Sequence, residues 1–316
     1  MRRSSAIRAT AWGVVAAGVL APLVRRHVRA PRAAVHAASF AAPIGLCVAT
    51  PRSRGRDVAV CALQMWAYLA AYKGPHDDPE WLERNVHVRY PLVVDRVLGL
   101  GELPTVRLQR RLARYGPRGA EWRALDRVLV WAHWLWFLVP HGALAYILLC
   151  RRRRFERAAV MTYAVFDLGV IFYWVLPTAP PWYAASLENG VVGYHPAVRR
   201  MMVEYGEFFW RDGWGPLYSV FGGNPLAAMP SLHFATSVMA ALLLCEVGPV
   251  PGAIGWTYAS TLGFALVYLG EHYVLDLIAG VALTAGVRRL ESRAGPTLGR
   301  LGGAVAALEA RAHGGA

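Results

Sequence analysis

A polytopic bundle of membrane-spanning α-helices, about six to eight of them, is the expected fold of this 316-residue chain. Three observations lead there. Hydrophobic side chains make up 56% of the residues and charged ones 17%, a balance too apolar for an ordinary soluble domain. Several uncharged stretches approach the roughly 20 residues needed to cross a bilayer. Arginine clusters then punctuate the ends of those stretches, as the positive-inside rule requires of cytoplasmic loops.

The weaker stretches come first. Residues 7–24 follow Met1-Arg-Arg and mimic a signal peptide, but no small-residue cleavage site follows them. Residues 33–49 and 58–72 are further candidate spans. Arg25–Arg32 and Arg52–Arg56 both have cytoplasmic character, yet one span separates them. Either 33–49 is re-entrant or one of these segments does not cross. Residues 73–126 are polar and broken by proline and glycine, and Arg107-Leu-Gln-Arg-Arg-Leu-Ala-Arg reads as a short amphipathic helix on a membrane surface.

The clear spans lie at 128–149, 158–176, 232–245 with its flanks, 253–269 and 273–287. Taking Arg151–Arg154 as cytoplasmic fixes the rest: outside at Leu176, inside at Glu246, outside at Leu269, inside again at Arg288 and Arg289. The outer loop 177–229 carries few basic residues and many aromatic ones, among them Trp182, Tyr183, Tyr194, Tyr205, Trp210, Trp214 and Tyr218, which suit the headgroup interface. We divide the chain into N-terminal membrane segments (1–56), a catalytic membrane domain (57–290) and a cytoplasmic tail (291–316).

The net charge of +14 is concentrated at span ends, and no separate basic module remains to hold a nucleic acid. Cys47, Cys61, Cys150 and Cys245 lie in or beside apolar spans without paired spacing, so neither a disulfide framework nor a thiolate metal site is expected. Lys73 is the one lysine against a large excess of arginine; with abundant alanine, this fits a GC-rich bacterial genome.

Two histidines carry the chemistry. His233 lies in Pro230-Ser-Leu-His233 at the mouth of one apolar helix, and His272 in Gly270-Glu-His272-Tyr-Val-Leu-Asp276 at the mouth of another. Two crossings separate them, so both face the same membrane surface. Proline suits the first turn of a helix, and the free amides of such a turn bind phosphate, which makes Ser231 and Leu232 candidate substrate contacts. His272 and Asp276 are four apart and share a helix face. A carboxylate within an apolar span needs a partner. The Nδ1–H of His272 is the economical one, leaving Nε2 free as a nucleophile or base. The plainer readings, an interfacial helix cap and a structural His–Asp pair, hold for each motif alone; together the motifs suit two-step phosphoryl transfer.

These residues resemble the type 2 phosphatidic acid phosphatase superfamily of membrane lipid phosphatases and phosphotransferases. Pro230-Ser-Leu-His233 matches its second motif and His272-Tyr-Val-Leu-Asp276 the core of its third, with similarity over about residues 125–290. The resemblance implies a six-helix core, His272 as nucleophile, Asp276 as its orienting partner, His233 as general acid, and no metal or other cofactor. The family's basic first motif is missing: Leu176-Pro-Thr-Ala-Pro-Pro-Trp-Tyr183 stands in its usual place, and Ala265-Leu266 stand where Ser-Arg precedes the third motif. Both departures are similar to the branch containing inositol phosphorylceramide synthase and sphingomyelin-synthase-like transferases. A replacement cation is then required, with Lys73, Arg84, Arg89 and Arg211 as candidates, each otherwise an ordinary surface charge.

The expected function is therefore an integral membrane enzyme, outward-facing in a bacterial plasma membrane, that transfers or cleaves a lipid phosphoester, with an inositol-type headgroup as the finer expectation. Simple dephosphorylation of a lipid phosphate is the alternative within the class, and a transporter with a His/Asp proton relay the alternative outside it. No duplicated halves of the kind transporters carry are visible. His133 and His141, eight apart on the 128–149 span and roughly on one face, and Asp167 on the next are intramembrane ionisable groups. A backbone or tyrosine partner accounts for either histidine, and no spacing supports a zinc site. Asn224 and Glu271 flank the two motifs as lesser helpers.

Overall fold

The computed structural model describes residues 2–75, 78–113, 122–186, 198–221 and 224–314; Tyr194, in the aromatic outer loop, lies outside them. The described residues are helical apart from connections and two isolated bridges. They divide into two compact units, one made of Met1–Asp77 with Val287–Ala316, the other of Asp78–Gly286.

The first unit contains α1 (Arg2–Val28), α2 (Arg32–Ala49), α3 (Arg54–Lys73) and the later part of α15 (Val274–Ala312). Small residues bring α1 and α2 together: a Cβ on Gly18 would lie 2.5 Å from the Ala38 carbonyl oxygen, and one on Gly45 2.9 Å from that of Ala11. Close backbone approach of this kind is how apolar helices pack in the absence of a hydrophobic driving force between them. Residues 33–49, for which the charges allow a re-entrant path, belong to one continuous helix, α2. Arg56 explains part of the excess positive charge nearby, since its guanidinium donates to the Cys47 and Thr50 carbonyls and pairs with Glu309 at 2.7 Å.

The second unit holds α4 (Pro79–Asn85), α5 (Arg89–Leu98), α6 (Pro104–Leu112), α7 (Ala124–Trp134), α8 (Leu138–Cys150), α9 (Arg152–Val175), α10 (Pro181–Ser186), α11 (Met201–Trp210), α12 (Trp214–Phe221), α13 (Leu232–Val247), α14 (Pro249–Tyr268) and the start of α15. Within it α13 packs against α8, α9 and α14, and α14 also against α6 and α7. Among the described residues, four segments are long and apolar enough to cross a membrane: Ser4–Arg25, Arg32–Ala49, Ala124–Cys150 and Arg152–Val175, with α13 a shorter apolar helix. α3, α14 and the first part of α15 are helical where spans were expected.

Two expectations are corrected. The 128–149 span is not one regular helix, because Leu135–Phe137 form a 3₁₀ turn between α7 and α8. Pro140 has no N–H for the Trp136 carbonyl, which loosens the ladder there. His133 and His141 take separate partners across that turn, the His233 ring and the Phe137 carbonyl. Pro230 also lies outside α13: Ser231 is the N-cap, its hydroxyl accepting from the Phe234 amide at 3.3 Å.

The basic amphipathic segment is a helix, α6, but its buried face, Thr105 and Gln109, docks on the protein. Gln109 donates to the Arg199 and Tyr268 carbonyls and accepts from the Arg199 amide, each at 2.9 Å. At the opposite end of α13, Arg157 on α9 pairs with Glu246 at 2.6 Å.

Candidate functional site

The loop between α14 and α15 is shaped by Gly270. Its φ of +85° is the left-handed conformation that glycine adopts without a Cβ penalty. Glu271 N–H then reaches the Leu266 carbonyl at 3.1 Å and Gly270 N–H that of Val267 at 3.3 Å. These two bonds make a Schellman closure of α14, and the His272 amide also donates to the Leu266 carbonyl. His272 is thus fixed by the helix that precedes it.

Asp276 fixes the ring. Its Oδ2 lies 3.2 Å from His272 Nδ1 and accepts the Tyr273 amide at 2.9 Å. Asp276 is fully buried and His272 nearly so. The Asp276 carbonyl accepts the Ser231 amide at 3.0 Å, which ties the start of α15 to the cap of α13. His233 arrives by that route, and its Nδ1 lies 3.3 Å from His272 Nε2. The roles interlock if Nδ1–H of His272 donates to Asp276, because Nε2 then accepts the Nδ1–H of His233.

A third imidazole is present. His133 stacks on His233 with ring centres 5.0 Å apart, and the Trp136 ring lies 4.1 Å from that of His233. Beside them opens a cavity of about 380 Å³ lined by His133, His233, Trp134, Trp214, Leu217 and Tyr218 among others. The other intramembrane histidine stays out, His141 Nδ1 lying 2.9 Å from the Phe137 carbonyl. Among the described residues no three His, Cys, Asp or Glu side chains group closely enough to hold a metal ion.

A family model described as the PAP2 superfamily matches residues 119–290, more than half of the chain. The chain belongs to that superfamily. Among its relatives, the inositol phosphorylceramide synthase of Candida albicans is 34% identical over 125 residues, covering 38% of this chain and 26% of that protein. The phosphoinositol dihydroceramide synthase of Bacteroides thetaiotaomicron is 30% identical over 137 residues, 42% of this chain and 43% of that one. The chain thus spans less than half the length of these curated relatives. No solved structure matches it. It is an integral membrane enzyme of the PAP2 superfamily.

In this PAP2 enzyme a guanidinium reaches Glu271, the neighbour of His272, from a residue that no sequence motif marks, Arg200. Its Nε donates to Glu271 at 3.2 Å and its Nη2 to the Tyr218 hydroxyl at 2.8 Å, and it sits 3.8 Å over the Trp182 ring. Trp182 comes from the Pro-Pro-Trp-Tyr segment, which docks through its amide on the Gly270 carbonyl at 3.3 Å. The segment standing in the place of the superfamily's basic motif therefore holds a cation by its ring face. The aromatic run and Glu271 were the available signals, but neither names its partner.

Other candidates contribute less directly. Ser231 is fully buried and commits its hydroxyl to the cap. The Leu232 side chain packs on α9, where its Cδ2 occupies the space a Cβ on Gly169 would need. Any substrate contact at these two positions falls to the backbone. Arg89 is exposed at the start of α5 and lines a shallow depression of residues 86–94. Lys73 is exposed at the end of α3, in the other unit. Arg84 and Arg211 are likewise exposed. Asn224 is buried and caps its own turn, accepting the Leu226 amide at 3.0 Å.

Proposed function

We propose that this enzyme transfers a phosphorylated headgroup, of the inositol phosphate type, from one membrane lipid to the hydroxyl of another through a phosphohistidine on His272. The hydrogen-bonded series Asp276–His272–His233 carries the reading. His272 Nε2 attacks phosphorus and forms the P–N bond as the P–O bond to the lipid breaks. His233 gives its proton to the departing oxygen, and the phosphoryl group displaces the imidazole–imidazole hydrogen bond as it enters. In the second step His233 takes the proton of the acceptor hydroxyl, whose oxygen attacks phosphorus, and the P–N bond breaks to restore His272. Asp276 holds the tautomer and stabilises the charge that develops on His272. Arg200 meets the phosphoryl oxygens, as its five N–H donors exceed the two bonds it already makes.

Transfer is preferred to hydrolysis because the cavity beside His233 is walled by tryptophan, leucine and tyrosine, which suits a lipid acceptor better than water. We assign residues 57–290 to the catalytic domain, with about six to eight crossings in the chain and the histidines facing outward in a bacterial plasma membrane. The test uses the full chain in nanodiscs with a radiolabelled phosphatidylinositol donor and either ceramide or diacylglycerol as acceptor. A new labelled lipid is expected, together with acid-labile label on His272 that His272→Ala abolishes. Release of free inositol phosphate alone, with or without acceptor, points to hydrolysis; full activity in His272→Ala removes the nucleophile.

A further inference from the structure

α5 lies outside the segment that matches the superfamily, yet it reaches the catalytic loop. Leu92 on α5 packs with Leu103, Ala184 and Tyr273, and Leu275 adjoins the same cluster. One turn on from Leu92, Asp95 is fully buried, and its Oδ1 accepts the Leu275 amide at 3.0 Å across 180 residues of sequence. Leu275 is the second residue of α15, where the helix has no carbonyl of its own to offer that N–H. The next residue is Asp276.

A carboxylate is a costly way to cap a helix here. Burial pushes the Asp95 carboxyl up to about 6, against the pull of the Leu275 amide, and neighbouring Asp276 pushes the same way. The groups facing it are Asp276 and Tyr273; Tyr90 faces those two in turn, and burial drives its hydroxyl up to about 12. Asp95 Oδ2, Asp276 Oδ1 and the Tyr273 hydroxyl are all buried without a partner. So unfavourable a cluster of buried polar groups has its use in the geometry of the helical turn that Asp95 caps.

We propose that Asp95 is a positioning residue for the catalytic couple, fixing the first turn of α15 and so the placement of Asp276 against His272. This rests on the reading of His272 as the nucleophile. Displacement of that turn by about 1 Å costs on the order of 100-fold in rate. An asparagine side chain keeps the carbonyl acceptor, and its NH2 matches the neutral carboxyl, so Asp95→Asn is the conservative variant. Asp95→Leu keeps the volume and removes the acceptor.

The experiment combines kinetics with a readout independent of activity, the Nδ1–H resonance of His272 in ¹⁵N-histidine-labelled full-length protein in nanodiscs, assigned by its loss in His272→Ala. In Asp95→Leu that low-field resonance is expected to shift or vanish, and kcat with the phosphatidylinositol donor to fall about 10- to 100-fold with KM within about twofold. Asp95→Asn is expected to recover the resonance and most of kcat. Should Asp95→Leu not accumulate, Leu275→Pro takes its place, deleting the accepted N–H at a first-turn position that tolerates proline. An unchanged resonance and kcat in Asp95→Leu overturns the proposal, as does equal loss in Asp95→Asn. A resonance that responds as expected in a protein without phosphoryl transfer leaves the positioning role standing and removes the reaction assigned to the site.

Discussion

Arg200 holds a position no charge pattern announces, stacked on Trp182 and bonded to both Glu271 and Tyr218. Lysine cannot reproduce a planar fork that stacks and donates in two directions. Arg200→Lys is therefore expected to lower kcat/KM by about 10- to 100-fold, the loss of one charge-assisted contact, with the His272 phosphoenzyme still forming in single-turnover trapping. Asp95 makes a prediction about stability. Its carboxyl rises from an ordinary 3.8 to about 6 in the folded chain. Between those values the folded protein holds a proton that the unfolded chain releases, so this residue's contribution declines as pH rises through the window. In detergent, the fall in Tm of the parent protein across that window should be shallower in Asp95→Asn; an identical slope refutes the assignment.

Elements place these residues by features of differing legibility. The apolar cores of α2, α9 and α13 can be read from composition alone, and Ser231 beside an apolar run is a recognisable cap. The 3₁₀ turn at Leu135–Phe137 is harder to see, although Pro140 is its cause. The consequence is large, since the turn sends His133 to His233 and leaves His141 with the Phe137 carbonyl. Gly270 makes the turn that carries the site. A Cβ there would meet the Arg199 carbonyl oxygen at 2.6 Å, and a non-glycine residue in left-handed geometry costs about 1–2 kcal/mol before that clash. Gly270→Ala is expected to lower Tm and reduce kcat at once, because the same loop carries Glu271 and His272. An unchanged kcat would show that the loop tolerates the shift.

At the scale of the molecule, parity fixed the meeting of the two histidines. α13 and α14 return the chain to the side it left, and the 3.3 Å contact between the imidazoles follows from that return. The proposed outward orientation makes a direct prediction. In a cysteine-free background, Glu207→Cys, exposed near the histidine end, should react with a membrane-impermeant maleimide in intact cells. Arg153→Cys, at the start of α9, should react only after permeabilisation; the opposite pattern inverts the topology. Hydropathy, arginine placement and two short motifs were enough to specify an all-α membrane enzyme and its superfamily, and they pointed to His233, His272 and Asp276, which the fold brings together. Those signals are local, written in the transfer energy of neighbouring side chains and the spacing of one helical turn. The third imidazole, the Arg200 cradle and the Asp95 cap came only from packing, because each includes a contact between residues 71 to 180 positions apart. No periodicity along the chain records which buried groups will share a cavity once the helices close around it.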